Sequence, residues 1–459
     1  MIIQRPRGTR DFLPEETDRR SQAKKAMQDV LERWGYREVA TPTFEHLELF
    51  TIKSGASVIE EIYSFKDKGG RDLALRPELT APVMRMFVSE LQNSPKPQRL
   101  WYFGNCFRYE RPQKGRFREF WQMGCELIGG SKPDSEAEAV ALASRMLQSV
   151  GVSGDIHIGY LGLIRSILGK IPVEHRSSVM RMIDKKERDA LATLLEEIGC
   201  SHLGLLELIG SKGESALDRA AQIVADWKPG QEATVQAAAA APEPVSTNEA
   251  ADVTYSPAGR GSARQGRAVE AQLHLEEFVQ TVDLLRAYGV NFTIDFEIVR
   301  GLEYYSGTVF EIYAEGLGAQ RQICGGGTYE LASLFGGKET SSTGFGLGFD
   351  RIMEIVQMNS SRPRPVFMAF TPDVKREAAR IASRLRESVP VVMDVMGRGL
   401  KAQLKAAAGA GADYAVIVGK DELDAGRMTL RDMSGGAQES LLIAEIEARL
   451  KAHFQDKFG

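Results

Sequence analysis

A group of cationic side chains opens the stretch FRYERPQKGRFREFWQMGCELIG, which begins at Phe107. Five lysine and arginine residues lie within its first twelve positions. Arginine binds phosphate oxygens through two parallel hydrogen bonds, and glycine suits the turn between two strands. The stretch therefore predicts a hairpin that holds a polyphosphate at its base and the end of a nucleic acid at its tip. A solvated, salt-bridged hairpin is the alternative that the pattern leaves open.

Alternation along the two predicted strands sorts the side chains into faces. Before the turn, Arg108 and Glu110 fall on one face, and mostly bulky apolar residues fall on the other. After the turn, Gln122 and Glu126 share a face opposite four apolar residues. Successive side chains of a strand point to opposite sides, so pairing of the strands would bring both polar faces to one cavity. Pro112 limits the connection to a loop or an edge.

Length and composition bound the class of protein. A chain of 459 residues predicts two to four domains at about 150 residues each. The hydrophobic fraction of 43% and the charged fraction of 26% are ordinary for a globular protein. The formal net charge of −4 predicts no bulk attraction to polyanions, so a nucleic acid would have to bind local basic patches.

The four cysteines lie far apart and form no CxxC pair, so neither zinc nor a redox motif is expected. Few cysteines in a long chain are typical of a reducing cytosol. The amino terminus is too charged for a signal peptide, and no apolar run of about 18 residues appears. We therefore expect a cytoplasmic protein without a membrane span.

Periodicity predicts the elements around the hairpin. Amphipathic helices are expected over residues 15–34 and 134–150, with a strand broken by Pro42 between the first helix and a β-rich block. Residues 171–227 are also predicted to be helical. A segment rich in Ala, Pro, Ser and Gly follows and predicts a mobile loop or linker.

Order is expected to resume at about Val269. One helix (LHLEEFVQTVDLLRAYG) should lead into strands FTIDFEIVRG and TVFEIYA and two glycine-rich segments. Beyond a short polar boundary, three buried strands with helices between them predict a small α/β domain. These strands are PVFMAF, PVVMDV and DYAVIVG.

These motifs, in this order, resemble class II aminoacyl-tRNA synthetases and most closely the histidyl-tRNA synthetase family. The stretch from Phe107 resembles the second class II signature, and Pro42 falls in the strand that resembles the first, at a dimer interface. The other matching segments are RPRGTRDFLP, LRPELTAP from Leu75, VRGLEYYSGTVFE from Val299, CGGGTYE from Cys324, and GFGLGFDRI from Gly344, which resembles the third signature.

The resemblance implies an α/β fold whose α+β catalytic core is a class II synthetase-like antiparallel sheet flanked by helices. The core would be divided into residues 1–170 and 269–360. Between them would lie a helical insertion over 171–268, with its Ala- and Pro-rich mobile segment at 229–268. A small C-terminal α/β anticodon-binding domain would span 363–459.

The resemblance also implies a two-step reaction. The histidine carboxylate attacks the α-phosphate of ATP, and the tRNA 3′ end then takes the amino acid. The first step needs positioning and neutralised phosphate charge. Arg108 would bind the α-phosphate, and Arg116 and Arg351 the outer phosphates. Arg300 would contact the substrate carboxylate and the α-phosphate, and Glu110 would help position the nucleotide or Mg²⁺. ATP is expected as a substrate with Mg²⁺.

Two further features of the third signature bear on nucleotide binding. Gly346 and Gly348 would let the backbone approach the nucleotide closely. Asp350 stands where many bacterial members carry glutamate, and it retains the carboxylate.

The resemblance assigns the amino-acid pocket to nine side chains: Glu78, Thr80, Arg108, Gln122, Glu126, Arg300, Tyr304, Tyr305 and Tyr329. Glu126 and Tyr305 would bind the two imidazole nitrogens. An analogue lacking those nitrogens would leave buried polar groups unpaired, which explains selectivity. Glu78, Thr80 and Gln122 would hold the α-amino group. The other two tyrosines would line the pocket, although each tyrosine taken alone is also consistent with core packing.

The implied partners are L-histidine, ATP, tRNA(His) and a second copy of the chain. The acceptor end of the tRNA, where the family recognises an extra guanosine, would meet Arg111, Gln113 and Lys114. A basic patch in the C-terminal domain, with residues at helical spacing, would serve the anticodon or form a solvated face. The patch consists of Arg398, Lys401 and Lys405.

Three rival interpretations remain open. The regulatory subunit of ATP phosphoribosyltransferase resembles the same core but carries out no adenylation, and the four arginines and the anticodon-type domain argue against it. Another class II synthetase is disfavoured by VRGLEYY and CGGGTYE. A nucleic-acid-binding scaffold that has lost catalysis is disfavoured because every expected site residue is present.

Overall fold

The computed structural model describes residues 3–54, 56–110, 117–227, 260–299, 305–318, 321–358 and 364–458. The chain divides into two compact units, residues 1–358 and 359–459. Each unit has its own buried apolar core.

The described part of the first unit contains eleven α-helices and eleven strands, and α5–α10 follow one another without a strand between them. The helices are α1 (Pro14–Arg33), α2 (Glu48–Ser54), α3 (Thr80–Met86), α4 (Lys132–Ser149), α5 (Leu161–Leu168), α6 (Val173–Asp184), α7 (Arg188–Glu197), α8 (Leu205–Gly210), α9 (Glu214–Asp226), α10 (Arg260–Ala287) and α11 (Phe349–Ile355). The strands are β1 (Arg37–Glu38), β2 (Phe44–His46), β3 (Ser64–Lys66), β4 (Asp72–Leu75), β5 (Gln98–Phe107), β6 (Glu119–Ile128), β7 (Asp155–Tyr160), β8 (Thr293–Ile294), β9 (Tyr305–Tyr313), β10 (Gln322–Tyr329) and β11 (Ser342–Gly348).

The main sheet has eight strands in the order β1-β5-β6-β11-β10-β9-β7-β8. The six central strands pair antiparallel, which confirms the predicted sheet type. The two edge strands differ from the prediction, because β1 joins β5 and β8 joins β7 in parallel. Strands β2, β4 and β3 form a separate antiparallel sheet.

Helix α4 packs between the main sheet and helices α1 and α10. Its alanine, leucine and methionine side chains are buried, as the predicted helix requires. Glu136 of this helix is also buried, and its carboxylate accepts hydrogen bonds from Thr281, Thr308 and Thr328 and from the Thr308 amide at 2.9 Å. Burial raises the pKa of Glu136, and these donors oppose the rise. One carboxylate thus joins β9, β10 and α10.

Two predictions about the middle of the chain need correction. Helix α10 begins at Arg260, before the predicted return of order at Val269, while residues 228–259 of the Ala- and Pro-rich segment lie outside the described residues. Within its described residues, 292–299, the segment FTIDFEIVRG forms a strand only at Thr293–Ile294. It turns at Asp295 because that side chain accepts the amide hydrogen of Glu297 at 3.1 Å, which competes with extension of the strand.

The second unit matches the predicted small α/β arrangement. Strands β12 (Val366–Phe370), β13 (Val391–Met393) and β14 (Tyr414–Val418) pair in parallel, and β15 (Arg427–Asp432) and β16 (Gln438–Leu442) continue the sheet antiparallel. The helices are α12 (Lys375–Leu385), α13 (Leu400–Gly409), α14 (Lys420–Asp424) and α15 (Ile443–Phe458).

The predicted basic patch is only partly helical. Lys401 and Lys405 lie on α13, one turn apart. Arg398 precedes the helix, and its Nε and backbone amide bind the carboxylate of Asp394. The helical spacing therefore holds for the two lysines, while the guanidinium of Arg398 is held by a neighbouring carboxylate.

Within the part of the chain that the structure describes, no helix is long and apolar enough to cross a membrane. The same residues include no group of three or more His, Cys, Asp or Glu side chains placed to hold a metal ion. The four cysteines carry free thiols and are buried.

Candidate active site

The hairpin strands β5 and β6 pair as predicted. Tyr102 lies opposite Gly124, and Gly104 lies opposite Gln122. Directly opposed residues of an antiparallel pair share a face, so the even-numbered residues of both strands project to the same side of the sheet. The Cys106 thiol donates to Oε1 of Gln122 at 3.3 Å on this side. The predicted joining of the two polar faces is therefore confirmed for the paired residues.

Glu126 lies at the closed end of this face and is fully buried. Its carboxylate accepts hydrogen bonds from the hydroxyl of Tyr102 at 3.0 Å and from the hydroxyl of Tyr329. Burial raises the pKa of Glu126 to about 8, although hydrogen bonds from Tyr329, Thr80 and Tyr102 oppose the rise. The carboxyl group therefore holds a proton near neutral pH.

Other predicted pocket residues surround Glu126. The Thr80 hydroxyl lies 3.5 Å from the hydroxyl of Tyr102. The ring of Tyr305 packs edge-on against that of Tyr329, with centroids 6.3 Å apart. The structure therefore brings together Thr80, Glu126, Tyr305 and Tyr329. Tyr102, to which the sequence analysis gave no role, lies between Glu126 and Thr80, and its contacts with them depend on tertiary packing that no local pattern records.

Glu78 sits at the start of α3. Its carboxylate accepts the amide hydrogens of Thr80 and of Ala81, the latter at 3.0 Å. The negative charge of Glu78 also helps to raise the pKa of Glu126, so the two carboxyl groups influence each other. Glu78 is thus held rigidly beside the pocket by backbone donors.

A cavity of about 340 Å³ lies on the same face of the sheet. Three predicted nucleotide-binding side chains, Arg108, Glu110 and Arg351, line it together with Gln122. Its remaining described lining residues are Phe117, Phe120, Trp121, Gln322, Ile323, Cys324, Gly325, Gly346, Gly348 and Asp350. Sequence reasoning gave no role to the aromatic residues or to residues 322–325, because their inward positions depend on strand register.

Both cavity arginines are anchored by backbone carbonyls. Arg108 donates from Nε to the carbonyl of Pro77 at 3.0 Å, and its guanidinium lies 5.1 Å from the centre of the Phe120 ring. Arg351 donates from Nη1 to the carbonyl of Gln322 at 2.7 Å. These contacts fix the direction of two positive charges beside one cavity, which suits an anionic ligand.

Asp350 is buried and holds the cavity wall together. Its Oδ1 lies 2.6 Å from Nη1 of Arg20 and 2.8 Å from Nη2 of Arg10. Its Oδ2 accepts the amide hydrogen of Trp121 at 2.6 Å. The aspartate therefore links the amino-terminal segment to β6.

The glycines of β11 that face this side serve two distinct purposes. Gly344 lies opposite Glu126, and a Cβ there would overlap the Glu126 carboxylate. Gly346 faces the cavity, and a Cβ there would come no closer than 3.8 Å to any neighbouring side chain, that of Gln122. Glycine is required at 344 because a larger side chain would collide with Glu126. At 346 the absence of a side chain keeps the cavity floor open.

Several predicted residues lie outside the described part of the chain. They include the catalytic candidate Arg300 and the pocket candidate Tyr304. They also include Arg116, predicted to bind phosphate, and the acceptor-end candidates Arg111, Gln113 and Lys114. Their roles stay predictions.

Comparison with known proteins assigns the chain to a family. A sequence model described as histidyl-tRNA synthetase matches residues 8–352, and one described as an anticodon binding domain matches residues 358–453. A catalytic synthetase domain followed by an anticodon-binding domain defines an aminoacyl-tRNA ligase. Within that class, the chain belongs to the histidyl-tRNA synthetase family.

Individual relatives agree with this assignment. A histidine–tRNA ligase of Methanosarcina acetivorans is 49% identical, covering 97% of this chain and 98% of that protein. The crystal structure of histidyl-tRNA synthetase from Nostoc sp. PCC 7120 has a TM-score of 0.74 and 21% identity, covering 99% of this chain and 100% of that chain. A Bacillus halodurans structure titled ATP phosphoribosyltransferase regulatory subunit/histidyl-tRNA synthetase has a TM-score of 0.71 and 23% identity, covering 91% and 99%. The two solved structures show the fold alone.

Proposed function

We infer that the protein is a histidine–tRNA ligase, which joins L-histidine to ATP as histidyl-adenylate and then transfers it to the 3′ end of tRNA(His). The observation that carries this function is that two features suited to ligands share one face of the sheet. A buried carboxyl group with tyrosine partners lies next to a cavity lined by two fixed arginines. Nearly full-length relatives that carry the same activity support it.

In the first step, the cavity takes ATP. Arg108 would bind the α-phosphate, where charge develops as the histidine carboxylate attacks and pyrophosphate leaves. Arg351, with Arg116, would bind the outer phosphates. Anchored cations lower the barrier because they need no reorganisation during the reaction. Mg²⁺ would enter with ATP, and Glu110, which lines the cavity, would offer it a carboxylate oxygen, a ligand that this ion prefers.

Histidine would bind beside the cavity, with its imidazole at Glu126 and Tyr305. A carboxyl group that holds a proton near neutral pH can donate it to one ring nitrogen, while a phenol bonds the other. Gln122, Thr80 and Glu78 would hold the α-amino group. Tyr329 contributes by holding Glu126 in place.

The remaining roles rest on the family resemblance. Arg300 would contact both the histidine carboxylate and the α-phosphate, and Tyr304 would line the pocket. Arg111, Gln113 and Lys114 would contact the acceptor end of the tRNA. The C-terminal unit would bind the anticodon, with Lys401 and Lys405 as candidate contacts.

The proposed organisation follows the predicted one. The catalytic core consists of residues 1–170 and 269–360, interrupted by an insertion at 171–268 and followed by an anticodon-binding domain at 363–459. The matches to residues 8–352 and 358–453 support this division. The enzyme acts as a homodimer in the cytoplasm, where its tRNA substrate is found.

A glycine substitution tests the position of the nucleotide. Gly346→Ala is expected to weaken ATP binding by about tenfold, because the added methyl group enters the cavity and makes only an ordinary van der Waals contact with Gln122. Calorimetric titration of ATP measures this effect, and the melting temperature should stay close to that of the wild type.

Gly344→Ala is the matched control, because its methyl group meets the Glu126 carboxylate instead. That variant should lose thermal stability. An unchanged dissociation constant for ATP in Gly346→Ala would place the nucleotide elsewhere.

The activity is tested by ATP–pyrophosphate exchange with the purified protein, Mg²⁺ and each of the twenty amino acids in turn. Exchange with histidine alone is expected. A folded protein that binds histidine without any exchange would instead have the properties of the regulatory-subunit alternative. Exchange with a different amino acid would contradict the assignment of Glu126 and Tyr305.

A further inference from the structure

The amino-terminal motif RPRGTRDFLP resembles the family, yet the proposed reaction assigns no role to its residues. It lies in a segment, residues 3–13, that precedes α1 and runs as coil with one turn. This segment contacts the hairpin formed by β5 and β6, and it also contacts α11. These two elements carry Arg108 and Arg351, the arginines of the nucleotide cavity.

Backbone hydrogen bonds attach the segment to the hairpin. The amide of Arg118 donates to the carbonyl of Gly8 at 2.9 Å, and the amide of Arg108 donates to the carbonyl of Arg118 at 2.9 Å. Gly8 has a φ of 88°, and a Cβ there would lie 2.7 Å from the Arg118 side chain. The left-handed conformation and the close approach both favour glycine. Two successive hydrogen bonds thus connect the segment to Arg108.

Arg10 of the same segment contacts two residues of the cavity wall. Its Nη2 lies 2.8 Å from Oδ1 of Asp350 in α11, and its guanidinium carbon lies 3.7 Å from the centre of the Phe117 ring. Both partners line the nucleotide cavity. The Asp350 side chain is only 4% exposed, so its charge depends on neighbouring cations, and the face of an aromatic ring attracts a cation at this distance. Arg10 therefore joins the hairpin side of the wall to the α11 side.

The charges around the cavity give this contact a second effect. Among the described lining residues, two arginines and two acids carry formal charges that cancel: Arg108, Arg351, Glu110 and Asp350. ATP is a polyanion, and a lining without net charge does not attract it. Arg10 and Arg20 both pair with Asp350, so the group as a whole has a net positive charge.

We propose that Arg10 is a positioning residue for the nucleotide cavity, which holds Phe117 and Asp350 in place and supplies positive charge behind the cavity wall. The inference rests on the proposed function, because it takes this cavity as the ATP site. It gives a role to an amino-terminal motif that contributes no residue to the described lining of the cavity.

The test replaces Arg10 with methionine, which removes the charge but keeps an unbranched side chain. In full-length protein, Arg10→Met is expected to weaken ATP binding by about tenfold, as for the loss of a partly desolvated cation contact. Calorimetric titration of ATP measures this effect, and the KM for ATP in ATP–pyrophosphate exchange should rise by a similar factor. The dissociation constant for histidine should stay within about twofold, because Glu126 takes its hydrogen bonds from Tyr102 and Tyr329 rather than from this segment.

Two further variants distinguish positioning from a general loss of stability. Arg10→Lys should restore ATP affinity to within about threefold of the wild type, since an ammonium can also pair with Asp350 and lie over the Phe117 ring. Phe117→Leu should reduce ATP affinity by a smaller factor in the Arg10→Met protein than in the wild type, because the two residues act through one contact. Equal factors in both backgrounds would overturn the route through Phe117.

Arg5→Met is the matched control. Arg5 belongs to the same segment, but its side chain is 59% exposed, and its Nη1 lies 3.4 Å from Oδ2 of Asp11. ATP affinity in this variant should stay within about twofold of the wild type, because an exposed ion pair contributes little. Unchanged ATP affinity in Arg10→Met would overturn the proposal. So would an equal loss of ATP and histidine affinity with a lowered melting temperature, which indicates general destabilisation.

The wild-type protein separates this proposal from the proposed function. Histidine-dependent exchange in the wild type, with an unchanged dissociation constant for ATP in Arg10→Met, would overturn only the positioning role. A wild-type protein that binds no ATP and shows no exchange would overturn the proposed function and, with it, the role of Arg10.

Discussion

Replacing Glu126 with alanine is expected to lower kcat/KM for histidine in ATP–pyrophosphate exchange by about a thousandfold. The carboxyl group is the buried acceptor for Tyr102 and Tyr329. Its removal deprives the imidazole of a partner and leaves two tyrosine hydroxyls without their acceptor. Both losses fall on histidine, because neither tyrosine lines the nucleotide cavity.

The measurement is steady-state exchange at varied histidine and saturating ATP. Calorimetric ATP binding is the internal control and should be nearly unchanged. Glu126→Gln keeps the size of the side chain and, like the protonated carboxyl group, offers one donor and one accepting oxygen, so it should retain more histidine use than Glu126→Ala. An unchanged KM for histidine in Glu126→Ala would mean that Glu126 only stabilises the fold.

Arg108→Ala is expected to lower the rate of adenylate formation by about a thousandfold, the effect typical of losing one preorganised donor to developing charge. Arg108→Lys should recover little of this rate. The guanidinium donates from Nε to the Pro77 carbonyl, and its two terminal nitrogens would bind the phosphate. A lysine ammonium lacks this planar arrangement and cannot make the same set of bonds.

Single-turnover formation of histidyl-adenylate measures this effect directly. Arg99→Lys is the control, because Arg99 lies at the other end of β5 and pairs with Glu138. Its rate should stay within about threefold of the wild type. Full activity in Arg108→Lys would show that a single positive charge is sufficient.

The side of the hairpin that forms the site could be predicted from the sequence. Strand alternation assigns Gln122 and Glu126 to one face without knowledge of the partner strand, because the period of two is local. The neighbours across strands could not be predicted in this way. Tyr102 and Glu126 meet through the register of β5 and β6, and Tyr329 reaches Glu126 from β10, which is not adjacent to β6.

The segment after β8 shows a different limit. Its β-branched and aromatic residues favour a strand, but the chain turns, because the Ile298 amide donates to the Asp295 carbonyl and the Glu297 amide donates to the Asp295 carboxylate. That bond is stable because the Asp295 carboxylate is buried among cations supplied by distant parts of the chain. The strand propensity of this segment is therefore outweighed by tertiary contacts of Asp295, which a local sequence pattern cannot predict.

The carboxylate of Glu136 has a consequence for strand register. It binds Thr308 of β9 and Thr328 of β10 from beneath the sheet. A one-residue slip of either strand would send its threonine to the opposite face and leave the buried carboxylate short of donors. Only one alignment of the strands satisfies this helix residue, and that alignment also places Tyr329 against Glu126. The position of Tyr329 beside Glu126, the proposed imidazole-binding residue, therefore depends on a carboxylate on the opposite side of the sheet.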